Sequence, residues 1–265
     1  MALAALAACA HRADAPLVGR IWDTHAERYV APADVYRAAR APYVILGETH
    51  DNPEHHRLQL AVLEALAARG EPRILAMEQF DGEYQAAMDA ARAAGADAEK
   101  LADAGHFDRR GWNWPLYRPL VQFALEHGWP IVAANLSRAA ARAIVADPAR
   151  SGLPPAAPAV QAALERDIID GHCGKAPEPK LLAGMVEAQR ARDAHMASVL
   201  RPGSVLIAGA GHARRDRGVA LYLRDDAVMS MAFVEVEASD ADRASYDYLW
   251  FTPRAQRDDP CAGLL

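Results

Sequence analysis

The chain has 265 residues, and 52% of them are hydrophobic, which is enough for a folded core and excludes a wholly disordered protein. The formal net charge is −6, and no Lys/Arg stripe with interleaved aromatic residues occurs, so we expect no nucleic-acid partner. No apolar stretch reaches the roughly 20 residues that a membrane-spanning helix needs.

The first ten residues read MALAALAACA, and Leu6 to Cys9 match the lipobox of bacterial lipoproteins, in which the cysteine carries the lipid. The run is short for a signal peptide and lacks a basic start. One interpretation is a signal and tether over residues 1–16; the other is simply an alanine-rich N-terminus. The first predicts a protein of the bacterial cell envelope, anchored through a lipid on Cys9 and facing the periplasm.

In chain order, strands alternate with helices. A hairpin or edge strand is expected within residues 17–30. Apolar runs that predict buried strands lie at 43–46, 74–77, 130–134, 204–208 and 229–236, with a last edge strand at 248–251. Helices are predicted at 32–41, 53–69, 84–94, 106–127 and 139–146, and in two pieces over 159–200.

This order of elements predicts an α/β fold. A strand, a helix and a second strand joined by short connections imply parallel strands and a right-handed crossover. We expect a central, mostly parallel sheet flanked by helices, with a helical cap inserted after the second core strand. The expected domain covers residues 17–252, the cap comprises approximately 82–128 and 159–200, and 253–265 form a tail.

Two of the predicted strands end in the same pattern, Gly-x-x-His. The first turn runs from Gly47 to His50 and contains Glu48, and the second runs from Gly209 to His212. Glu78 and Asn135 follow two other strands. Ligands of open α/β sheets bind beyond the carboxyl ends of the strands, so we expect these side chains to share one crevice.

Such a crevice has three functional interpretations. His50, Glu78 and His212 could bind a divalent metal. Glu48, His50, Glu78 and His212 could perform acid–base catalysis, a histidine moving the proton and a glutamate orienting it. The set could also line a cofactor pocket. The structural alternatives are a carboxylate that caps a helix and a hydrogen-bonded histidine. His55 and His56, on the next helix, either assist or lie on the surface.

Aromatic residues are concentrated in one predicted helix. Trp112, Trp114 and Tyr117 form either an apolar wall for a large planar ligand or the core of a helical cap. Tyr84 and Tyr117 are of interest because a tyrosinate can bind haem iron.

Other candidates lie further along the chain. Arg214, in an arginine-rich turn, either binds an anion such as a propionate or is solvated. Gln189 and Asp193 are one helical turn apart and could reach the crevice. His172 lies at a helix break as a functional or a capping residue, and the adjacent Cys173 pairs with Cys261 if the protein is exported, or both remain free thiols.

Several of these segments together resemble a known family. They are Gly47–His50, Met77–Phe80, Trp112–Tyr117, Ala134-Asn135, His172-Cys173, Gln189 with Asp193, and Gly209–His212. In this order, and with the lipobox, they resemble the ChaN family of haem-binding, iron-regulated bacterial lipoproteins in the Tiki-like superfamily. The similarity extends over residues 17 to 236.

The resemblance implies haem or iron acquisition at the cell envelope, with haem bound in an apolar pocket by a homodimer through a tyrosine ligand. Tyr117 lies inside a matching segment and is therefore ranked above Tyr84. Trp112, Trp114, His172 and Arg214 complete the implied haem site. Tiki-like and erythromycin-esterase-like relatives imply the alternative, a metal-dependent hydrolase of peptide or ester bonds that uses the paired Gly-x-x-His turns.

Overall fold

The computed structural model describes residues 17–70, 73–223, 227–236, 240–259 and 261–262. The N-terminal leader, including the predicted lipidation site Cys9, lies outside the described residues. Within them, no helix combines the length and hydropathy needed to cross a bilayer.

Among the described residues, eight strands form one sheet in the order β2-β1-β8-β7-β3-β6-β4-β5. The strands are β1 (Ile21–Asp23), β2 (Arg28–Val30), β3 (Tyr43–Glu48), β4 (Ile74–Asp81), β5 (Ile131–Asn135), β6 (Ser204–Gly209), β7 (Val228–Glu235) and β8 (Tyr248–Thr252). The six strands from β8 to β5 are parallel to their neighbours, whereas β1 pairs antiparallel with both β8 and β2. The predicted mostly parallel α/β sheet is confirmed.

The prediction that the last strand lies at the sheet edge is wrong. Strand β8 lies between β7 and β1, and Trp250 is directly opposite both Phe233 and Ile21. The N-terminal hairpin supplies the actual edge. Leu249, Trp250 and Phe251 are all buried, which is the pattern of an interior strand rather than an edge.

Helices cover the described sheet. They are α1 (Pro32–Ala38), α2 (Pro53–Ala67), α3 (Gln85–Ala93), α4 (Ala98–Ala104), α5 (Trp114–Glu126), α6 (Arg138–Ala146), α7 (Pro158–Gly171), α8 (Pro179–Val199) and the single turn α9 (Ala210–Ala213). The sequence did not resolve α4, which begins where the Asp97 side chain accepts the Lys100 backbone N–H.

The insertion after the second core strand consists of α3, α4 and α5, between β4 and β5; α7 and α8 precede β6. The boundaries proposed for the cap and for the C-terminal tail stay predictions. Cys173, just after α7, forms a disulfide with Cys261, so the end of the chain is covalently joined to this helical layer.

The core lies on both faces of the sheet because successive strand side chains point to opposite faces. In β3, Val44 and Leu46 pack into the cluster that contains α2 and α5, whereas Ile45 packs with Met196 of α8 on the other face. All three β3 side chains are fully buried, and each such burial is worth about 1.5–3 kcal/mol. Because helices cover both faces of the sheet, the open region lies beyond the carboxyl ends of the strands, which is called the open edge below.

Candidate functional site

The carboxyl ends of four adjacent strands meet at one edge. Strands β3, β6, β4 and β5 are neighbours in that order, which brings Glu48, Glu78 and Asn135 to the same side. His212 follows β6 within α9. The structure therefore places the four predicted strand ends together.

Close packing explains the glycines of the two Gly-x-x-His turns. A Cβ on Gly47 would lie 2.7 Å from Ala213 Cβ, and one on Gly209 would lie 2.8 Å from His50 Cε1. Neither glycine has a positive φ, so the requirement at these positions is for space and not for a left-handed backbone. The missing side chains let α9 approach β3 and let the His50 ring lie against Gly209.

Glu48 is the centre of the first polar cluster and is 2% exposed. Its Oε1 accepts a hydrogen bond from the Tyr117 hydroxyl at 2.5 Å and lies 3.1 Å from His50 Nδ1. Gln79 Nε2 donates to the same oxygen at 3.4 Å. Oε2 lies 3.2 Å from His56 Nδ1, and neither of these two buried atoms makes a hydrogen bond among the described residues.

Glu78 belongs to a second cluster. Its Oε2 accepts the Gly209 backbone N–H at 2.8 Å, and its Oε1 lies 3.3 Å from His212 Nε2. The other imidazole nitrogen, Nδ1, is 2.6 Å from Asp193 Oδ1. All three side chains are buried, so His212 is held between two carboxylates out of contact with bulk water.

The electrostatics follow from this arrangement. Burial opposes charge on His212, but the carboxylates of Glu78 and Asp193 raise the pKa of the imidazole well above its usual value. Burial likewise disfavours charge on Glu78, yet His212, His50 and the Gly209 N–H hold the pKa of this carboxyl below its usual range. Burial raises the pKa of Asp193. The two carboxylates therefore favour the protonated form of His212, which makes this imidazole a poor general base.

His50 is the member of the network that reaches solvent, with a side chain that is 47% exposed. Burial lowers the pKa of His50, but the hydrogen bond to Glu48 and the charges of Glu78 and Glu48 outweigh it and raise that pKa. The ring also contacts Trp112 edge-on, with centroids 4.7 Å apart. An exposed imidazole oriented by a buried carboxylate can accept and donate a proton.

The predicted metal ligands are not arranged as a ligand set. Among the described residues, no three or more His, Cys, Asp or Glu side chains are placed to hold one metal ion. The physical reason is that both nitrogens of His212 already face carboxylates, and Glu78 also binds a backbone N–H. His50, Glu78 and His212 thus contact one another or protein groups instead of a common centre.

Tyr117 and Trp114 lie inside the core. Tyr117 is fully buried, and burial, reinforced by the Glu48 charge, raises the pKa of its phenol. Trp114 is 7% exposed and donates its indole N–H to Glu99. Because both side chains are buried, neither is placed to contact a bound haem. These positions do not support Tyr117 as the iron ligand or Trp114 as part of a wall for the ligand.

Tyr84 and Trp112 are placed differently. Tyr84 is half-buried, and its ring stacks on exposed His106 with centroids 4.3 Å apart. Trp112 is half-buried and forms a wall shared by two cavities, one of about 360 Å³ beside His50 and one of about 170 Å³ beside His106. An indole and a phenol are therefore accessible at the open edge of the sheet.

His172 and Arg214 have local partners. His172 Nδ1 lies 2.6 Å from the Ile168 carbonyl in the last turn of α7, which is the capping role. The Arg214 guanidinium donates to both carboxylate oxygens of Asp216 and to the Ser245 hydroxyl. These protein partners give no support to the predictions that His172 and Arg214 bind a cofactor.

His55 and His56 are buried and are not surface residues. His55 is fully buried, with Nδ1 accepting the Thr49 backbone N–H and Nε2 2.8 Å from the Thr252 hydroxyl. Burial lowers the pKa of His55 to about 4. His56 faces Glu48, as described above.

Gln79 is a site residue that the sequence did not reveal, because a glutamine beside a strand-end glutamate carries no distinguishing signal.

Comparison with known proteins shows the family of the chain. Residues 35–223 match the family model described as "Haem-binding uptake, Tiki superfamily, ChaN". The chain belongs to this family. The solved structure "Cofacial heme binding to ChaN of Campylobacter jejuni" matches with a TM-score of 0.76 and 25% identity, over 87% of this chain and 95% of that one.

Other solved structures match with lower TM-scores. The type III effector HopBA1 aligns with a TM-score of 0.44 and 16% identity, over 83% of this chain and 92% of that chain. A mutant of the erythromycin esterase EreC aligns with a TM-score of 0.45 and 14% identity, over 75% and 71%. No curated protein matches the sequence. ChaN is thus the comparison on which functional inference rests.

Proposed function

We propose that this ChaN-family protein is a lipid-anchored, haem-binding protein for haem and iron acquisition at the bacterial cell envelope. The observation that carries the proposal is the family match, which includes the whole carboxyl edge from β3 to α9. It is supported by the likeness of the chain to the haem-binding ChaN of Campylobacter jejuni. Haem is the cargo in this proposal.

The iron ligand that the geometry favours is Tyr84. A tyrosine binds iron through its deprotonated oxygen, and Tyr117 is poorly suited because it is fully buried and donates its proton to Glu48. Deprotonating Tyr117 would also place two negative oxygens 2.5 Å apart. Tyr84 is half-buried at the open edge and carries no such partner charge among its described contacts.

Aromatic rings lie near Tyr84, beside a small cavity whose other lining residues are mostly polar or charged. His106, on which Tyr84 stacks, lines the cavity of about 170 Å³ together with Trp112 and Asn135. Trp112 offers an aromatic surface to this cavity and to its larger neighbour. Trp112 therefore stays a proposed haem contact.

The envelope location rests on two observations. The disulfide between Cys173 and Cys261 is typical of proteins in oxidising compartments. The lipobox residues that end at Cys9 supply the proposed anchor, and with it a periplasm-facing position. A homodimer belongs to the same proposal, and the sedimentation of the haem-loaded protein tests it.

Haemin titration of the purified domain, followed at the Soret band, tests the proposal and the ligand together. Wild type and Tyr117→Phe are expected to give the same shifted band, whereas Tyr84→Phe loses the tyrosinate spectrum. Equal spectra for wild type and Tyr84→Phe would reject Tyr84 as the ligand. Absence of any shift in wild type would reject haem binding.

One observation favours a second candidate, a hydrolase of ester or peptide bonds. His50 is exposed, is oriented by Glu48 and faces a cavity, which is the arrangement of a general acid–base residue. Turnover of a panel of ester and peptide substrates, lost in His50→Gln and retained in His172→Gln, would support it. Metal analysis of the isolated protein, with a His50→Ala/His212→Ala variant, decides whether such an activity uses a metal.

A further inference from the structure

A groove between α6 and α8 carries three arginines and no carboxylate in its lining. Its cationic side chains are Arg138, Arg142 and Arg192, and its volume is about 360 Å³. Val145, Ile168 and Met185 contribute the apolar part of the lining. The volume lies within the usual range of about 300–1,000 Å³ for small-molecule sites.

The groove has a regular construction. Arg138, Ala141, Arg142 and Val145 recur on α6 at the helical spacing i, i+3, i+4, i+7, and Met185, Ala188, Gln189 and Arg192 recur on α8 in the same way. Each helix therefore turns one continuous stripe of side chains towards the groove.

The helices approach each other closely at one end of the groove. A Cβ on Gly184 would lie 2.1 Å from the Val145 carbonyl oxygen, so α8 crosses against the C-terminal part of α6. Arg138 and Arg142 come from the N-terminal half of α6, and Arg192 comes from the C-terminal half of α8. Val145 and Met185 occupy the opposite end, so the groove is cationic at one end and apolar at the other.

One buried arginine nitrogen has no hydrogen-bond partner among the described residues. The Nε of Arg192 is buried and makes no hydrogen bond in the described part of the chain. A nitrogen without accessible surface cannot touch a ligand in an open groove, so an anion there would meet other atoms of the Arg192 side chain. Arg138 is paired with Asp108, whereas Arg142 is exposed and has no ion-pair partner among the described residues.

The groove shares part of its lining with the cavity of about 170 Å³, which is also lined by the carboxylates of Asp81 and Asp108. Arg138 and Arg192 line both the groove and the cavity that contains His106 and Trp112. We infer that the groove binds the carboxylate-bearing edge of a tetrapyrrole, with Arg142 and Arg192 contacting the propionates. This inference rests on the proposed function and adds the subsite that recognises the ligand's anionic groups. Arginine is suited to the role because its planar fork matches a carboxylate.

The test uses metal-free protoporphyrin IX, whose binding does not depend on an iron ligand. Fluorescence titrations compare wild type with Arg142→Gln and Arg192→Gln. The matched control is Arg69→Gln, an exposed arginine two residues after α2 that lines no part of the groove. We expect each groove variant to raise the Kd roughly tenfold, as the loss of one charge-assisted carboxylate contact does, and the control to leave it unchanged.

Protoporphyrin IX dimethyl ester separates charge recognition from packing. Its esterified propionates cannot pair with arginine, so wild type and the groove variants are expected to bind it with equal affinity. Equal protoporphyrin affinity in wild type, control and groove variants would overturn the groove assignment. So would binding of haemin without binding of the metal-free porphyrin, which leaves the proposed function standing.

The two proposals can fail separately. Arginine-dependent protoporphyrin binding without a haemin Soret shift would support the groove and reject haem as the cargo. Binding of neither compound to wild type would reject both.

Discussion

Replacing His212 by asparagine removes the cation between two buried carboxylates. The imidazole lies 2.6 Å from Asp193 and 3.3 Å from Glu78, and all three groups are shielded from water. Removing one partner of a buried ion pair typically costs about 3–5 kcal/mol because the other charge is left uncompensated. Asparagine can still donate one hydrogen bond, so we expect the lower part of that range, about 3 kcal/mol.

This loss is measured as the free energy of unfolding in urea at pH 7, followed by tryptophan fluorescence with the disulfide intact. At about 2–4 °C per kcal/mol for a chain of this size, the midpoint of thermal unfolding should fall on the order of 10 °C. His172→Asn is the matched control, because that histidine is exposed and only caps α7. It should change the stability by less than about 0.5 kcal/mol.

A second substitution identifies the origin of the loss. Neutralising one carboxylate, in the double variant with Asp193→Asn, should recover part of the stability, because one uncompensated charge is then gone. If His212→Asn costs less than about 1 kcal/mol, or if the double variant loses the sum of the two single effects, the histidine is not holding two charged carboxylates and the electrostatic account is refuted.

The remaining predictions concern pH, packing and the disulfide. The folded-state pKa of His212 is raised, to about 10, so its contribution is complete below the unfolded value of about 6.5 and is lost as the pH rises towards 10. Urea titrations across pH 6–10 should show stability falling in wild type but much less in the His212→Asn variant. Gly184→Ala forces a Cβ to 2.1 Å from a carbonyl oxygen of α6 and should cost about 1–3 kcal/mol, whereas Gly171→Ala, with no atom within 4 Å, should change stability by less than about 1 kcal/mol in chemical denaturation. The Cys173→Ala/Cys261→Ala variant opens a link between residues 88 positions apart and should lower the unfolding free energy by roughly 2–5 kcal/mol; an unchanged urea midpoint would contradict this.

The sheet and its open edge were predictable because strand signals are local. Each apolar run and the polar residue beyond it appear directly in the sequence, and parallel strands bring their carboxyl ends to one edge. The position of β8 was not predictable in this way, since its apolar residues do not specify which strands flank it. Its burial between β7 and β1 depends on the N-terminal hairpin, more than 200 residues away along the chain.

The site was harder to predict than the fold because the same residue type serves opposite roles. Tyr84 and Tyr117 are both tyrosines near aromatic residues, but only the tertiary structure places one at the open edge and the other against Glu48. The arginines of α6 do show a regular spacing, which was a signal available in the sequence. Their proposed role in the groove also requires Arg192 of α8, and no local sequence pattern predicts that α6 and α8 lie side by side.

The most direct test of haem binding is the titration of wild-type protein with haemin under oxidising conditions. We predict a saturable red shift of the Soret band with one haem bound per chain and with a tyrosinate spectrum that depends on Tyr84. A Soret band that stays at the position of free haemin at every protein concentration would contradict the account.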